Sequence, residues 1–171
     1  APDQVYNLAG ISSVAASWER PVETAEVNAV GALGLLEAAR RVVETTGKRV
    51  AFVQAASAEV FGEPAETPQD EGTPIRPVNP YGMSKAFAHQ AAAVYRTHGV
   101  HACSLILYNH ESPRRPGGFV TRKITSTAAA IAQGRADELA LGNLDARRDW
   151  GWAPDYVHAM RLAAAHPEPG D

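Results

Sequence analysis

Two short apolar runs limit the folds open to this chain of 171 residues more than any other feature. Arg49 to Ala55 and Ala102 to Tyr108 carry mostly apolar side chains at both alternating positions, as strands buried on both faces must. Such strands belong to parallel sheets with helices on either side. The two runs therefore predict an α/β protein.

Helical and turn patterns fill the chain between these runs, with no internal repeat. We expect helices at Glu23 to Glu44, closed by Gly47, at Pro80 to Gly99, and at about Phe119 to Gln133. Two further strands are expected at Val5 to Ala9 and Leu139 to Leu141. The proline-rich piece Pro64 to Pro80 is predicted to be a loop that leads directly into Tyr81.

Composition narrows the class of protein. With 45% hydrophobic and 20% charged residues, the chain can bury the core of one soluble domain. The net charge of -3 argues against a nucleic-acid or membrane partner, although basic residues cluster from Arg114 to Lys123. No apolar stretch reaches membrane-spanning length, and the start resembles no signal peptide. The single Cys103 lies in an apolar run, which predicts a free buried thiol and a cytoplasmic protein.

The segment Tyr81-Gly82-Met83-Ser84-Lys85 suggests chemistry. On a helix, a spacing of four puts the Tyr81 phenol and the Lys85 ammonium on one face, where both can touch one ligand. A nearby ammonium favours the phenolate, so the tyrosine could act as a base. A surface tyrosine beside a solvated lysine would show the same spacing, so the pair needs support from other residues.

Further candidates follow the predicted strands, because open parallel sheets bind ligands at the carboxyl ends of their strands. The small residues of Leu8-Ala9-Gly10-Ile11-Ser12 would let a flat cofactor approach the backbone, although a plain turn would look alike. Ser57 and Glu59 follow the second strand, although a lone carboxylate such as Glu59 is more often a solvated loop charge. The run Asn109 to Arg115 suits a phosphate-bearing ligand or an exposed ion-pair network.

Together these residues resemble the extended short-chain dehydrogenase/reductases that act on nucleotide sugars, and within them the branch of GDP-mannose 4,6-dehydratases. The similarity is carried in order by Val5-Tyr6-Asn7-Leu8-Ala9, Val27-Asn28-Ala29-Val30-Gly31, Ser57-x-Glu59-x-Phe61-Gly62, the Tyr81/Lys85 pair, Asn109-His110-Glu111-Ser112-Pro113-Arg114-Arg115, Phe119-Val120-Thr121-Arg122-Lys123-Ile124 and Arg148-Asp149-Trp150-Gly151. It implies a Rossmann-like doubly wound parallel sheet that binds NADP.

The resemblance also implies a site and a reaction. Ser57, Glu59, Tyr81 and Lys85 would be catalytic in removing water from GDP-mannose, giving GDP-4-keto-6-deoxymannose. Leu8, Ala9, Gly10, Ile11, Ser12, Lys85, His110 and Arg115 would line the cofactor site. Asn109 and Arg148 would bind the substrate diphosphate. No metal is implied, and the enzyme would be a homo-oligomer.

Some residues depart from the family pattern. Ser57 stands where the family has threonine, and Ala58 lacks the acid that related dTDP-sugar dehydratases carry before the glutamate. The chain also holds neither a Gly-rich phosphate loop before its first strand nor the family's smaller substrate domain. We therefore expect residues 1–171 to be the central part of an NADP-binding domain, with substrate-binding elements beginning at about 109–151. A nucleotide-sugar epimerase, a 4-keto-reductase or a truncated non-catalytic module are the alternatives.

Overall fold

The computed structural model describes all 171 residues and divides into two compact units. The first unit comprises 1–107 and 158–171, and the second comprises 108–157. In chain order the elements are β1 Gln4–Asn7, α1 Val14–Glu19, α2 Pro21–Ala25, a π-helical segment Glu26–Val30, α3 Gly31–Thr46, β2 Ala51–Ala55, a 3₁₀ turn Ala58–Val60, α4 Pro80–Arg96, β3 His101–Leu105, β4 Asn109–Glu111, α5 Val120–Ala132, β5 Trp150–Trp152 and α6 Ala153–Ala165. No helix is long and apolar enough to cross a bilayer.

The first unit is built on a parallel three-stranded sheet in the order β1-β2-β3. The central strand β2 is buried along its whole length, because helices cover both of its faces. Leu36 of α3 and Ala92 of α4 pack with Phe52 on one face. Met160 and Ala164 of α6 pack with Val53 on the other. The prediction of an α/β fold with buried parallel strands is confirmed.

The predicted long helix from Glu23 to Glu44 is interrupted in the structure. It consists of α2, the π-helical segment and α3, and it ends with Gly47 in the left-handed conformation, at φ 66°. An α-helical and a π-helical turn present the same apolar spacing over so short a distance, so periodicity could not separate them. The helix predicted to run from Pro80 to Gly99 ends at Arg96.

In the second unit, β4 and β5 pair in parallel beside α5. The predicted strand Leu139 to Leu141 is wrong, because this segment has no neighbouring strand to hydrogen-bond with and Ala140 is exposed. The pairing is made instead by Asn109–Glu111 and Trp150–Trp152, which are three residues each. Strands this short carry too few residues for an alternating pattern to be recognised.

Candidate active site

Helix α4 carries Tyr81 and Lys85 into the interior of the first unit. The helix begins where the Asn79 side chain accepts a hydrogen bond from the Gly82 amide at 2.7 Å, and Pro80 occupies its first turn. Tyr81 is 8% exposed and Lys85 6% exposed. The Lys85 Nζ lies 5.9 Å from the centroid of the Tyr81 ring, so the predicted sharing of one helical face is confirmed.

The Lys85 ammonium is held at the carboxyl end of β2. Its Nζ donates to the Ala55 carbonyl at 2.9 Å, and the same carbonyl accepts from Gln54 Nε2 at 3.0 Å. Gln54 is fixed in turn by Asn7 Nδ2, which donates to its Oε1 at 2.8 Å. Burial lowers the pKa of Lys85 from 10.5 to about 8, because desolvation penalises the charged form.

Ser57 and Glu59 lie in the segment that leaves β2. The Ala56 and Ala58 amides donate to the carbonyls of Leu105 and Leu107, so this segment stays hydrogen-bonded to the chain that continues β3. The Ser57 Oγ then accepts a bond from the Glu59 amide at 3.3 Å and begins the 3₁₀ turn. The two predicted side chains are thereby placed at the sheet edge where α4 starts.

The 3₁₀ turn and α4 approach each other very closely at Gly82. A Cβ at Gly82 would lie 2.4 Å from the Glu59 carbonyl oxygen, so only glycine permits this contact. Across the same contact, Asn79 Nδ2 donates to Glu59 Oε2 at 2.8 Å. The Glu59 carboxylate therefore lies at the same edge of the sheet as Tyr81 and is anchored to the residue that caps its helix.

The loop Leu8 to Ser12 follows β1 and is fastened by Asn28 of the π-helical segment. Asn28 is 2% exposed; its Oδ1 accepts from the Ile11 amide at 2.8 Å, and its Nδ2 donates to the Ile11 carbonyl at 3.0 Å. Asn28 Nδ2 also donates to Ser84 Oγ at 3.0 Å, which ties the loop to α4. A Cβ at Gly10 would lie 2.9 Å from Asn28 Oδ1 and 3.5 Å from Lys85 Nζ. Gly10 therefore lies beside the buried ammonium.

The remaining predicted site residues belong to the second unit. Asn109 Nδ2 donates to the Asp149 carbonyl at 3.1 Å, and the His110 ring stacks on Tyr156 with 4.9 Å between centroids. The Arg115 guanidinium lies 3.6 Å from the centre of the Phe119 ring, and its Nε is 3.3 Å from Glu111 Oε2 without hydrogen-bond geometry. Arg148 donates to the neighbouring Arg147 carbonyl. These contacts are internal to the unit.

Sequence reasoning missed three residues that organise the site: Asn28, Asn79 and Gly82. The signals were present, since Asn79-Pro80 is a typical helix start and Asn28 is an isolated amide among apolar helical residues. The partners of Asn28 lie 17 and 56 residues away, and Glu59 lies 20 residues from Asn79, so only the fold reveals these contacts.

The solved structures that resemble this chain define a class of protein. RMD from Pseudomonas aeruginosa, solved with NADPH, superimposes with a TM-score of 0.88 at 30% identity over 98% of this chain and 58% of that one. A dTDP-glucose 4,6-dehydratase from Streptomyces venezuelae, at 24% identity and a TM-score of 0.81, has the same fold. Together with the Tyr81/Lys85 site, they place the chain among the extended short-chain dehydrogenase/reductases, so the expected Rossmann-like fold is confirmed.

Within this class the chain belongs to the GDP-mannose 4,6 dehydratase family, whose sequence profile matches residues 1–171. The GDP-mannose 4,6 dehydratase 2 of Arabidopsis thaliana is 51% identical over 99% of this chain. The GDP-mannose 4,6-dehydratase of Vibrio cholerae is 48% identical over the same share. The chain spans 46% and 45% of the length of these two relatives, so it corresponds to slightly less than half of each.

Proposed function

We propose that the protein containing this chain is a GDP-mannose 4,6-dehydratase that converts GDP-mannose to GDP-4-keto-6-deoxymannose. The observation that carries the proposal is the position of the Glu59 carboxylate, bonded to Asn79 beside the start of the helix that holds Tyr81 and Lys85. A reductase needs the tyrosine and the lysine alone. A carboxylate beside them supplies the second base that water elimination requires. The names of relatives at 51% and 48% identity support the same reaction.

Tyr81 is the base in the oxidation of the sugar. Its phenolate takes the proton of the C4 hydroxyl as C4 becomes a carbonyl, and Ser57 donates a hydrogen bond to that oxygen. The Lys85 ammonium, 5.9 Å from the ring centroid, favours the phenolate by its positive charge. A bound nicotinamide dinucleotide would supply the hydride acceptor for C4 and the hydride donor for C6, with no net change in the cofactor.

Glu59 is the base in the elimination. The C4 carbonyl makes the C5 proton acidic, and the Glu59 carboxylate removes it. The electron pair of the C5–H bond forms a C5=C6 double bond, the C6–O bond breaks, and the departing hydroxide takes the proton from Glu59 to leave as water. Tyr81 returns its proton to C5 when C6 regains the hydride. The substrate therefore loses one water with no net oxidation.

The residues of the first unit fit the ribose end of the cofactor. Lys85 has three N–H groups and one acceptor within the chain, the Ala55 carbonyl, so it can also donate to a ribose hydroxyl. The loop Leu8-Ala9-Gly10-Ile11-Ser12, held by Asn28, leaves room beside this ammonium because Gly10 has no side chain. The NADPH bound in the Pseudomonas aeruginosa structure supports NADP as the cofactor.

Residues of the second unit are assigned from the family resemblance. We assign His110 and Arg115 to the cofactor, Asn109 and Arg148 to the substrate diphosphate, and the start of the substrate-binding elements to about 109–151. Guanidinium groups recognise phosphate oxygens in pairs of parallel hydrogen bonds, which suits both arginines.

We further propose that the protein is a cytoplasmic homo-oligomer that binds neither nucleic acid nor membranes. Cys103 is buried and unpaired, as suits a reducing compartment. An exposed apolar stripe on α4, formed by Met83, Phe87 and Val94 at 58%, 45% and 56% exposure, supports self-association.

The product formed from GDP-mannose by the whole protein tests the proposal. We expect a 4-keto-6-deoxy sugar nucleotide. An epimerase with the same Tyr81, Lys85 and Ser57 would keep the C6 hydroxyl, and a 4-keto-reductase would leave GDP-mannose unchanged. Either result would refute the dehydratase function. Glu59→Gln should abolish elimination while C4 oxidation remains detectable, whereas Tyr81→Phe should lose both steps.

A further inference from the structure

The amide of Asn79 makes one hydrogen bond with each of its two polar atoms, and the two bonds serve different parts of the site. Oδ1 accepts from the Gly82 amide at 2.7 Å and caps α4. Nδ2 donates to Glu59 Oε2 at 2.8 Å. We infer that Asn79 is a positioning residue for Glu59, fixing the carboxylate for removal of the C5 proton. The inference rests on the proposed dehydratase function and adds a residue to it.

The helix cap determines which way the Asn79 amide points. A helix N-terminus presents N–H donors, so the amide oxygen must face Gly82. The amide nitrogen, which can only donate, is then directed away from the helix and toward the carboxylate. The opposite orientation would place oxygen against the Glu59 carboxylate and nitrogen against the Gly82 amide. The cap therefore ensures that a donor faces Glu59.

The backbone of Glu59 is also fixed, which leaves its side-chain torsions as the main freedom. Its amide donates to Ser57 Oγ at 3.3 Å, and its carbonyl oxygen lies against Gly82 of α4. The next residue, Val60, accepts from the Arg76 amide at 2.9 Å. The bond from Asn79 restricts the side chain by holding Oε2. Oε1 is then the oxygen that we assign to the proton transfer.

Glutamate loses substantial rotamer freedom when one carboxylate oxygen is held. Proton abstraction depends on placing the base within about 3 Å of the proton that it removes, and a 1 Å displacement can cost about 100-fold in rate. Without a second contact, a carboxylate on a short 3₁₀ turn would sample positions that differ by more than about 1 Å. Asn79 thus affects the elimination step without touching the substrate.

Three substitutions in the whole protein separate the two functions of Asn79. Asn79→Ser and Asn79→Asp keep a good capping oxygen but remove the Nδ2 group that donates to Glu59, and the serine hydroxyl is one bond shorter; Asn79→Ala loses both bonds. We expect a thermal midpoint within about 2 °C of wild type for Ser, and a fall of several degrees for Ala. With GDP-mannose, we expect kcat for elimination to fall about 10- to 100-fold in Ser. The C4 oxidation, followed as NADPH formed in a single turnover, should be unchanged.

Asn79→Asp is expected to change the pH profile of elimination, which the replacement of a purely structural residue would leave unchanged. Two carboxylates at hydrogen-bond distance favour sharing one proton, so the acidic limb of the pH profile for elimination should move to higher pH. In Asn79→Ser that limb should lie closer to wild type. Equal rates and pH profiles in wild type, Ser and Asp would overturn the positioning inference alone. A wild-type protein that does not eliminate water from GDP-mannose would instead refute the proposed function.

Discussion

Lys85 illustrates how one buried charged side chain can weaken the fold. Its pKa of about 8, compared with 10.5 ordinarily, means that its charge is disfavoured in the folded protein. Below pH 8 both the folded and unfolded states are protonated, so the penalty is present in full, at about 3 kcal/mol. Between pH 8 and 10.5 the unfolded state binds more protons, so stability rises as pH rises.

Replacing Lys85 with Met should therefore stabilise the protein. The Ala55 carbonyl retains its bond from Gln54, so no buried acceptor is left without a partner. We expect the free energy of unfolding at pH 7 to increase by up to about 3 kcal/mol, with the difference from wild type shrinking toward pH 10.5. Urea denaturation of both proteins across this pH range is the measurement. A variant less stable than wild type at pH 7 would contradict it.

The residue types with obvious chemistry could be predicted from the sequence, but the residues that orient them could not. Tyr81 and Lys85 are four positions apart on one helix, and Ser57 and Glu59 follow a recognisable buried strand, so local patterns locate all four. Asn79 sits only two positions before Tyr81, yet its bond to Glu59 crosses from a helix start to a turn 20 residues earlier. The sequence shows that an asparagine is present but not which group its amide hydrogen-bonds.

At the scale of an element, two glycines within helices are expected to respond to alanine in opposite ways. Gly82 lies at the contact of α4 with the 3₁₀ turn, where a Cβ would be 2.4 Å from the Glu59 carbonyl oxygen. Gly34, in α3, has no atom from outside its own stretch of helix within 4 Å of the same position. Alanine is the better helix former by about 1 kcal/mol, so only the steric contact distinguishes the two sites.

We expect Gly82→Ala to destabilise the protein by about 1 to 3 kcal/mol and to displace Glu59, because backbone must move to admit the methyl group. The matched control, Gly34→Ala, should stabilise it by about 0.5 to 1 kcal/mol and leave activity unchanged. Denaturation midpoints and turnover of both variants test the pair. If both substitutions raised the stability equally, the 3₁₀ turn would not be in close contact with α4 at Gly82.

The end of α6 is fastened to the sheet by a cluster that should respond to pH. Arg49 Nη2 lies 2.8 Å from His101 Nε2 and donates to the carbonyls of Ala164 and His166 at the end of α6. Burial, and then the charge of Arg49, lower the pKa of His101. The Arg96 and His166 charges act in the same direction, while a bond to the Ala163 backbone opposes them.

Stability should therefore fall as pH falls from about 6.5, the ordinary histidine value, through the lowered pKa of folded His101. In this window the unfolded state binds more protons than the folded state. His101→Gln keeps an acceptor for Arg49 and should remove this part of the pH dependence. Chemical denaturation of both proteins between pH 4.5 and 7 measures it, and parallel stability curves would rule out His101 as the cause.

The elements themselves were predictable to different degrees. Long amphipathic helices and strands buried on both faces have a clear period, and they were found with ends displaced by a few residues. The π-helical segment and the three-residue strands β4 and β5 were not found, since their hydrogen bonding is decided by neighbouring segments. The π-helical segment carries Asn28, so an element that periodicity does not reveal holds the residue that fastens the loop Leu8 to Ser12.

At the scale of the whole molecule, the 171 residues alone are expected to bind NADP weakly. The chain contains no Gly-x-x-Gly-x-x-Gly turn to hold a pyrophosphate, and each missing charge-assisted hydrogen bond forgoes about 1.5 to 3 kcal/mol. Strand β1 is also paired on one side only, which favours association of the isolated piece. Calorimetric titration should detect no binding at micromolar concentration, and tight binding by a monomer would contradict this expectation.

The central claim is that one active site oxidises C4, eliminates water and returns the same hydrogen to C6. The most direct measurement uses the whole protein with GDP-mannose that carries deuterium at C4, followed by NMR of the product. The account predicts a 4-keto-6-deoxy sugar nucleotide with the deuterium at C6. A product that keeps its C6 hydroxyl, or a 6-deoxy product without the deuterium, would contradict it.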